Sequence, residues 1–281
     1  MSECFRSFFI QNSSILEAEK FNDEMVSEGT SLYEVIRIIN KVPLFLGRHL
    51  KRLENSADIV NLKLWLNLEE IKNKLIELIK INNVSDGNIK IVFNYRKQDG
   101  ENTVNNFLAY FIKHSYPSDE QYEEGVPTIL FFAERNNPNA KIINTSLRKL
   151  SNEKLKEKNA YEAILVDRND CITEGSRSNI FMVRDSKVIT APLIDVLGGI
   201  TREIIIEICR NRGIDFKEEK VNYRELKNMD ALFISGTSPK VLPICKVEDI
   251  IFNSARNNIV QRIMDDYDDI VNRYMEENKF I

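Results

Sequence analysis

The stretch from Tyr161 to Thr190 reads YEAILVDRNDCITEGSRSNIFMVRDSKVIT, and it limits the choice of fold more than any other part of the chain. Short runs of apolar and branched residues alternate in it with clusters of turn-forming residues at 167–170 and 184–186. This alternation is typical of consecutive short strands. The sequence therefore predicts a meander of four strands, at 161–166, 171–174, 179–183 and 187–190.

The segments on both sides of the meander mix strands and helices. Upstream, the sequence predicts a strand at 128–133, a turn at 136–139 and a helix at 146–158. Downstream, apolar residues at helical spacing predict a helix with Thr201 as its N-cap and Gly213 just past its end. Strands at 231–235 and 241–244 and a charged helix at 259–274 complete this part of the chain.

The N-terminal part is predicted to form a smaller unit. A hairpin is expected from residues 32–39 and 42–46, followed by two amphipathic helices at 50–60 and 68–79 and by strands at 89–94 and 106–112. The polar stretch from Lys113 to Pro127 has the composition of a connector. We therefore expect an N-terminal domain at 1–115, a connector at 116–127 and a C-terminal domain at 128–281.

Composition and charge argue against several classes of protein. The chain has 39 Lys+Arg against 43 Asp+Glu, so its formal net charge of −4 provides no cationic field for nucleic acid. Its apolar runs are far shorter than the ~18 residues of a membrane span or the ~7–15 of a signal-peptide core. We expect a cytoplasmic protein without nucleic-acid or membrane partners. Four single cysteines and two distant histidines favour neither a disulfide framework nor a zinc site, so no metal is expected.

Two turns have the composition of an anion-binding site. Gly199-Ile200-Thr201 stands at a helix entrance, where exposed backbone N–H groups and the positive end of the helix dipole face one volume. The turn Ser235-Gly236-Thr237-Ser238-Pro239 follows an apolar strand and offers hydroxyl groups. Each has a plainer interpretation when taken alone, as an ordinary capped helix and as a simple tight turn. Arg52, one helical turn beyond Arg48, is by default a solvated helix residue.

Three segments together resemble one family. They are Lys141-Ile142-Ile143-Asn144, then Tyr161-Glu162-Ala163-Ile164-Leu165-Val166-Asp167, then Thr173-Glu174-Gly175-Ser176-Arg177-Ser178-Asn179-Ile180-Phe181. In this order the chain resembles the class IV aminotransferases, pyridoxal-phosphate enzymes of fold type IV that include branched-chain aminotransferases, D-amino-acid aminotransferases and aminodeoxychorismate lyases. The resemblance extends from about Leu32 to Ile244. It implies an α+β fold of two domains, a small α/β sandwich and a barrel-like C-terminal domain, with the cofactor between them and a homodimeric assembly.

The resemblance also implies roles for single residues. Lys141 matches the lysine that binds pyridoxal 5′-phosphate covalently, and Glu174 matches the carboxylate that faces the pyridine nitrogen. The positions that hold the phosphate are matched by Arg52, Ile200, Thr201 and Thr237. Tyr33 matches an aromatic position near the substrate pocket.

These residue types suit the chemistry that the resemblance implies. A phosphate is bound well by a helix N-terminus, hydroxyl groups and a bidentate arginine. A carboxylate beside the ring nitrogen favours the protonated pyridinium, which can draw electrons from the substrate Cα. A lysine amine can attack the cofactor aldehyde and later move the Cα proton.

Some segments depart from the family pattern. Ser27-Glu28-Gly29-Thr30 stands where many members carry a Gly-Asp-Gly-type turn, and Asn144-Thr145-Ser146 lacks the tyrosine of branched-chain enzymes. Arg96 is a candidate for binding the substrate carboxylate and also has the simpler interpretation of a solvated loop arginine. We expect an aminotransferase that acts on an amino acid and a 2-oxo acid. Aminodeoxychorismate lyase and a non-catalytic homologue that binds pyridoxal phosphate are the alternatives.

Overall fold

A computed structural model describes residues 2–97 and 103–279. Contacts between residues divide the chain into two compact units. The first runs to Ser115 and also takes Ala140–Ile143 and the chain from Val271 onwards. The second comprises Tyr116–Asn139 and Asn144–Ile270. Within 2–97 and 103–279, no helix combines the length and the apolar composition needed to cross a bilayer.

The first unit is an antiparallel sheet with helices against it. Its strands are β1 (Phe8–Gln11), β2 (Ser14–Glu17), β3 (Thr30–Ile39), β4 (Val42–Pro43), β5 (Gly87–Lys97) and β6 (Thr103–Ile112), in the spatial order β2-β1-β6-β5-β3-β4. Its helices are α1 (Glu24–Ser27), α2 (Leu46–Ile59) and α3 (Leu68–Asn82). The side chains of α2 and α3 pack on one face of β3 and β5, while residues of the N-terminal segment cover the opposite face.

Cover on both faces explains why no residue of β3 after Thr30 is largely exposed to solvent. Leu32, Ile36 and Ile38 point towards the helices, and Tyr33 points to the opposite face. The Asn40-Lys41 turn has φ values of 50° and 65°, as a tight hairpin requires. The predicted hairpin is therefore present, but its second strand is only Val42–Pro43, because α2 already begins at Leu46.

The second unit contains the predicted meander. Its strands are β7 (Val126–Phe132), β8 (Glu162–Val166), β9 (Cys171–Gly175), β10 (Asn179–Arg184), β11 (Lys187–Thr190), β12 (Phe216–Glu218), β13 (Val221–Asn222), β14 (Ala231–Gly236), β15 (Lys240–Val247) and β16 (Ile250–Ile251). Its helices are α4 (Asp119–Glu124), α5 (Thr145–Lys158), α6 (Ile200–Arg212) and α7 (Asn258–Glu277), the last of which continues into the residues assigned to the first unit. Gly213 ends α6 with φ of 64°, as predicted.

Six strands of the second unit close into a barrel. The order β10-β14-β15-β7-β8-β9 returns to its start, because β9 also pairs with β10 through Glu174 and Asn179. Apolar side chains from these strands, such as Ile164, Ile180 and Leu242, form its buried core. The predicted α+β fold with a barrel-like C-terminal sheet is confirmed.

Candidate active site

The lysine and the tyrosine that the sequence singled out lie together in the first unit. Residues 140–143 run antiparallel to the start of β3: the Tyr33 N–H donates to the Lys141 carbonyl (3.0 Å), and the Ile143 N–H donates to the Ser31 carbonyl (3.0 Å). The Lys141 N–H also donates to Ser56 Oγ on α2 (3.2 Å). With its backbone fixed in this way, Lys141 places Nζ 4.7 Å from the centre of the Tyr33 ring, within cation–π range.

A buried carboxylate holds the arginine that the sequence assigned to the phosphate. Arg52 lies on α2 and donates from Nε to Glu34 Oε1 and from Nη2 to Glu34 Oε2, both at 2.7 Å. His49 Nδ1 lies 2.8 Å from Glu34 Oε2. Glu34 has no solvent exposure. Although burial alone raises the pKa of a carboxyl group, Arg52 and His49 together lower the pKa of Glu34 well below its usual range.

The pH dependence of stability in the first unit should report on His49. Burial lowers the pKa of His49 despite its bond to Glu34, so the folded protein takes up this proton at a lower pH than the unfolded chain, in which the ring titrates near pH 6.5. We expect the free energy of unfolding to fall by up to about 2 kcal/mol between pH 7 and pH 5, since a full proton corresponds to about 1.4 kcal/mol per pH unit. Glu34, whose pKa is lowered, contributes its own pH dependence only below its ordinary value near 4.5.

Trp65 provides the measurement for this prediction. It is the single tryptophan of the chain and packs on Phe93 and Tyr95 in the first unit, so its fluorescence follows urea unfolding there. His49→Asn, which keeps an N–H donor near the position of Nδ1, should lose less stability over the same pH range. An identical pH profile in both proteins would contradict the prediction.

A second lysine lies near Tyr33 and was not predicted from the sequence. Lys90 on β5 is 3% exposed, and its Nζ lies 5.5 Å from the centre of the Tyr33 ring. Glu3 neutralises it, with both carboxylate oxygens 2.8 Å from Nζ, and Tyr110 donates its hydroxyl to Glu3 (2.8 Å). The ring of Tyr33 is therefore close to two ammonium groups, those of Lys90 and Lys141.

In the second unit, Glu174 is anchored at both carboxylate oxygens. Arg135 Nε lies 2.8 Å from Glu174 Oε1, and the Leu197 N–H donates to Oε2 (3.2 Å). Glu174 is 3% exposed, and a cavity of about 210 Å³ borders both Glu174 and Arg135. The guanidinium beside it complements the negative charge of a carboxylate, the group that can accept a hydrogen bond from a pyridinium N–H.

A second buried carboxylate, Glu162, organises the turn that follows Glu174. Its Oε1 accepts hydrogen bonds from the Ser176 N–H (3.1 Å) and Oγ (2.6 Å), and its Oε2 accepts one from Ser178 Oγ (2.8 Å). Gly175 is required between them, because a Cβ there would collide with Ser178 Oγ. The Thr-Glu-Gly-x-x-Ser motif is thus the sequence of a turn built around a carboxylate, and this turn fixes the end of β9.

The same motif supports the loop before α6. Asn179 Nδ2 donates to the Leu197 carbonyl (2.8 Å), and a Cβ at Gly199 would collide with Asn179 Oδ1. Since Glu174 binds the N–H of Leu197 while Asn179 binds its carbonyl, the loop is held from both sides.

The entrance of α6 differs from the prediction in one respect. The predicted N-cap, Thr201, is wrong: the helix begins at Ile200 with Gly199 as its N-cap, because the loop must pass close to Asn179. No side chain of the described residues caps this end. Thr201 is buried in the first turn, with Oγ1 3.4 Å from Tyr267 Oη. The first N–H groups of this 13-residue helix therefore have no capping side chain among the described residues, an environment that suits an anion.

The two remaining candidates lie on a loop and at a strand end. Thr237 is in the hairpin turn between β14 and β15, where Tyr122 Oη donates to the Pro239 carbonyl (3.1 Å). Arg96 lies near the end of β5 with 54% of its side chain exposed, and its Nη1 is 2.5 Å from Glu28 Oε2. Tyr33 pairs with Val92, so Arg96 stands four residues further along β5, about 13 Å away.

Comparison with known proteins identifies the class to which this arrangement belongs. Residues 31–247 match the family described as amino-transferase class IV. The chain therefore belongs to the class IV aminotransferases, and it is an enzyme that depends on pyridoxal 5′-phosphate. The predicted family and cofactor are confirmed.

The names of individual relatives describe different activities. A D-alanine aminotransferase of Bacillus licheniformis is 31% identical over 227 residues, which is 78% of this chain and 80% of the relative. The branched-chain aminotransferase of Escherichia coli has a TM-score of 0.85 at 24% identity, over 95% of both chains. A Legionella pneumophila protein provisionally named as a 4-amino-4-deoxychorismate lyase has a TM-score of 0.78 at 21% identity, over 88% of this chain and 91% of its own. The two structural likenesses establish the fold.

The residues of the chain fit this cofactor. The N-terminus of α6 lacks a capping side chain among the described residues and has the Thr201 hydroxyl beside it, which suits a phosphate. Glu174 is a buried carboxylate held at both oxygens, which suits a protonated ring nitrogen. Lys141 supplies a primary amine next to an aromatic ring.

Proposed function

We propose that the chain moves an amino group from an amino acid to a 2-oxo acid and that Lys141 is its catalytic residue. The observation that carries the proposal is the placement of Lys141: two backbone–backbone hydrogen bonds and one to Ser56 Oγ fix residues 141–143, and Nζ stands over the ring of Tyr33. A lysine held in this way is oriented for attack on an aldehyde and then for proton transfer at a substrate Cα.

Bound pyridoxal phosphate supplies an electron sink for negative charge that develops at the substrate Cα. Lys141 would hold the cofactor and would then carry the substrate Cα proton. Glu174 would accept a hydrogen bond from the ring nitrogen and would favour its protonated form, while Arg135 and the Leu197 N–H hold the carboxylate in place. We propose that Arg52, Ile200, Thr201 and Thr237 are the residues that would hold the cofactor phosphate.

On the substrate side, Tyr33 provides an aromatic wall next to Lys141. We propose that Arg96 binds the substrate carboxylate. Its guanidinium would then release Glu28, its ion-pair partner in the structure, and bind the substrate instead. The proposal also includes a cytoplasmic homodimer that acts on small amino-acid and 2-oxo-acid substrates, without nucleic-acid or membrane partners. The domain boundaries predicted at residues 115 and 128 are also part of the proposal.

The half-reaction tests the proposal directly. An aminotransferase given an amino donor and no acceptor should convert its cofactor from the aldehyde to the amine form, and a 2-oxo acid should reverse the change. We expect at least one of the two enantiomers of alanine, glutamate or leucine to shift the cofactor absorbance and leave it shifted. Comparing the enantiomers also determines the stereochemistry.

The alternative functions would give different results in the same absorbance assay. A lyase returns to the aldehyde form in each cycle and needs no oxo acid. If no amino acid shifts the spectrum while aminodeoxychorismate yields 4-aminobenzoate, the lyase activity replaces the proposed one. A yellow protein that reacts with neither would be a non-catalytic pyridoxal-phosphate protein.

A further inference from the structure

Glu174 lies in a bulge of β9, directly before the turn that binds Glu162. In the ladder of β8 with β9, residues 173 and 174 stand together opposite residue 165 alone. A bulge of this kind re-aims a side chain and is common beside active sites. We propose that Glu162 is a positioning residue that holds this bulge in place and so directs the Glu174 carboxylate at the cavity it borders. The consequence for a ring nitrogen rests on the function proposed above for Glu174.

Four hydrogen bonds join Glu162 to the turn at 176–178. Its Oε1 accepts from the Ser176 N–H (3.1 Å) and Oγ (2.6 Å), and its Oε2 accepts from the Arg177 N–H (3.2 Å) and from Ser178 Oγ (2.8 Å). A Cβ at Gly175, the first residue after the bulge, would lie 3.0 Å from the carboxyl group of Glu162. The backbone directly after the bulge therefore packs on Glu162.

Arg135 connects the same turn to Glu174 by a second route. Its Nη2 donates to the Ser176 carbonyl (2.7 Å), and its Nε lies 2.8 Å from Glu174 Oε1. Ser176 is also the residue that donates both its N–H and its hydroxyl to Glu162. A displacement of Ser176 would therefore move the guanidinium, and with it a group that contacts the Glu174 carboxylate.

The closure of the turn does not by itself explain Glu162. A backbone bond from the Gly175 N–H to the Ser178 carbonyl (2.7 Å) already closes the turn. Glu162 is 4% exposed, and its hydrogen-bond donors among the described residues are backbone N–H groups and serine hydroxyls. A carboxyl group loses its hydration on burial, so an apolar residue would fill this position more simply. What Glu162 adds is a fixed position of the turn relative to β8.

The N–H of Leu197 reports the position of Glu174 without any cofactor, because it donates to Glu174 Oε2 (3.2 Å). Glu162→Gln should disturb the turn, since the NH₂ group of the amide meets a backbone N–H that needs an acceptor whichever way it is turned. In the full chain before cofactor is added, the Leu197 amide should then exchange its hydrogen about tenfold faster or more, the loss expected for one charge-assisted hydrogen bond. NMR-detected hydrogen exchange gives this rate for single residues.

Two controls separate positioning from a general loss of stability. The amide of Met182, in the middle of β10 between β11 and β14, should keep its exchange rate within about twofold in Glu162→Gln. Equal acceleration at Met182 and Leu197 would overturn the proposal. Asp230→Asn is the matched variant, because Asp230 accepts a bond from the Asp185 N–H (2.9 Å) in the turn between β10 and β11, and it should leave the Leu197 amide unchanged.

Ser178→Ala keeps Glu162 and removes one of its donors. This variant should accelerate exchange at Leu197 by a smaller factor, and it provides the readout if Glu162→Gln fails to fold. Unchanged exchange at Leu197 in both variants would mean that Glu162 has no positioning role.

The bound cofactor distinguishes this proposal from the function on which it rests. With ¹⁵N-labelled cofactor, the ring-nitrogen resonance of Glu162→Gln should move in the same direction as that of Glu174→Gln and by less. A response to Glu174→Gln alone would remove Glu162 from the site and leave the role of Glu174 intact. If Glu174→Gln itself does not move the resonance, the ring-nitrogen role of Glu174 fails, while exchange at Leu197 still decides whether Glu162 directs its carboxylate.

Discussion

Lys141→Ala is expected to lower the rate of amino transfer at least about 10³-fold, because positioned proton transfer alone contributes about 10²–10⁴-fold and the variant also loses covalent attachment of the cofactor. Its fold should be retained, since the hydrogen bonds of the residue 141 backbone N–H and carbonyl groups do not depend on the side chain. The measurement is the single-turnover rate with the best donor from the half-reaction screen, together with the absorbance of the bound cofactor.

Chemical labelling checks the assignment of Lys141 independently of rate. Borohydride reduction of the holoenzyme followed by peptide mapping should place the pyridoxyl group on Lys141. Lys149→Ala is the control, because Lys149 is an exposed residue of α5 and its loss should change neither label nor rate. A label on Lys149 or Lys154, or near-normal turnover in Lys141→Ala, would show that another amine does this work.

Glu174→Gln should keep the cofactor and lose most turnover. A neutral amide still accepts a hydrogen bond from the Leu197 N–H but no longer favours a protonated ring nitrogen. Replacing a charge-assisted bond of roughly 1.5–3 kcal/mol corresponds to a rate loss of about 10- to 150-fold. Cofactor content after dialysis should stay within about twofold, since the proposed phosphate contacts are made by other residues.

The protonation state of the ring provides a second measurement for Glu174. With ¹⁵N-labelled cofactor, the ring-nitrogen resonance should move from the protonated towards the unprotonated position in Glu174→Gln. Glu134→Gln is the matched control, because Glu134 lies near the same cavity but pairs with Arg168. Unchanged turnover and an unchanged resonance would mean that Glu174 only supports the loop at Leu197.

The helices and strands of both units could be predicted well from the sequence. Contacts between residues far apart in the chain could be predicted only where a family motif implied them. Helical spacing and alternation were enough for α2, α3 and the meander, because each element buries a simple pattern of apolar residues. The juxtaposition of Lys141 with Tyr33 was implied only by the family resemblance. More than 100 residues separate the two, and no local rule connects them.

The buried charged residues are the main feature of the structure that was not predicted from the sequence. Glu34 and Lys90 occupy strand positions at which a polar residue ordinarily faces water, and only the cover on both faces of the sheet makes them interior. Glu162 lies in a fully buried strand, and its role depends on hydroxyl groups of Ser176 and Ser178 far along the chain. Thr201 was misplaced as a cap because the close approach of Gly199 to Asn179 is a tertiary constraint.

The barrel of the second unit is closed unevenly. The seams of β10 with β14 and of β14 with β15 each contain five residue pairs, whereas β9 and β10 pair at one position, Glu174 with Asn179. Local opening favours the seam with the fewest backbone bonds, so hydrogen exchange should be fastest there among the barrel strands. An occupant that bonds to Glu174 would slow that exchange. Binding at Glu174 and local opening between β9 and β10 would then be thermodynamically coupled.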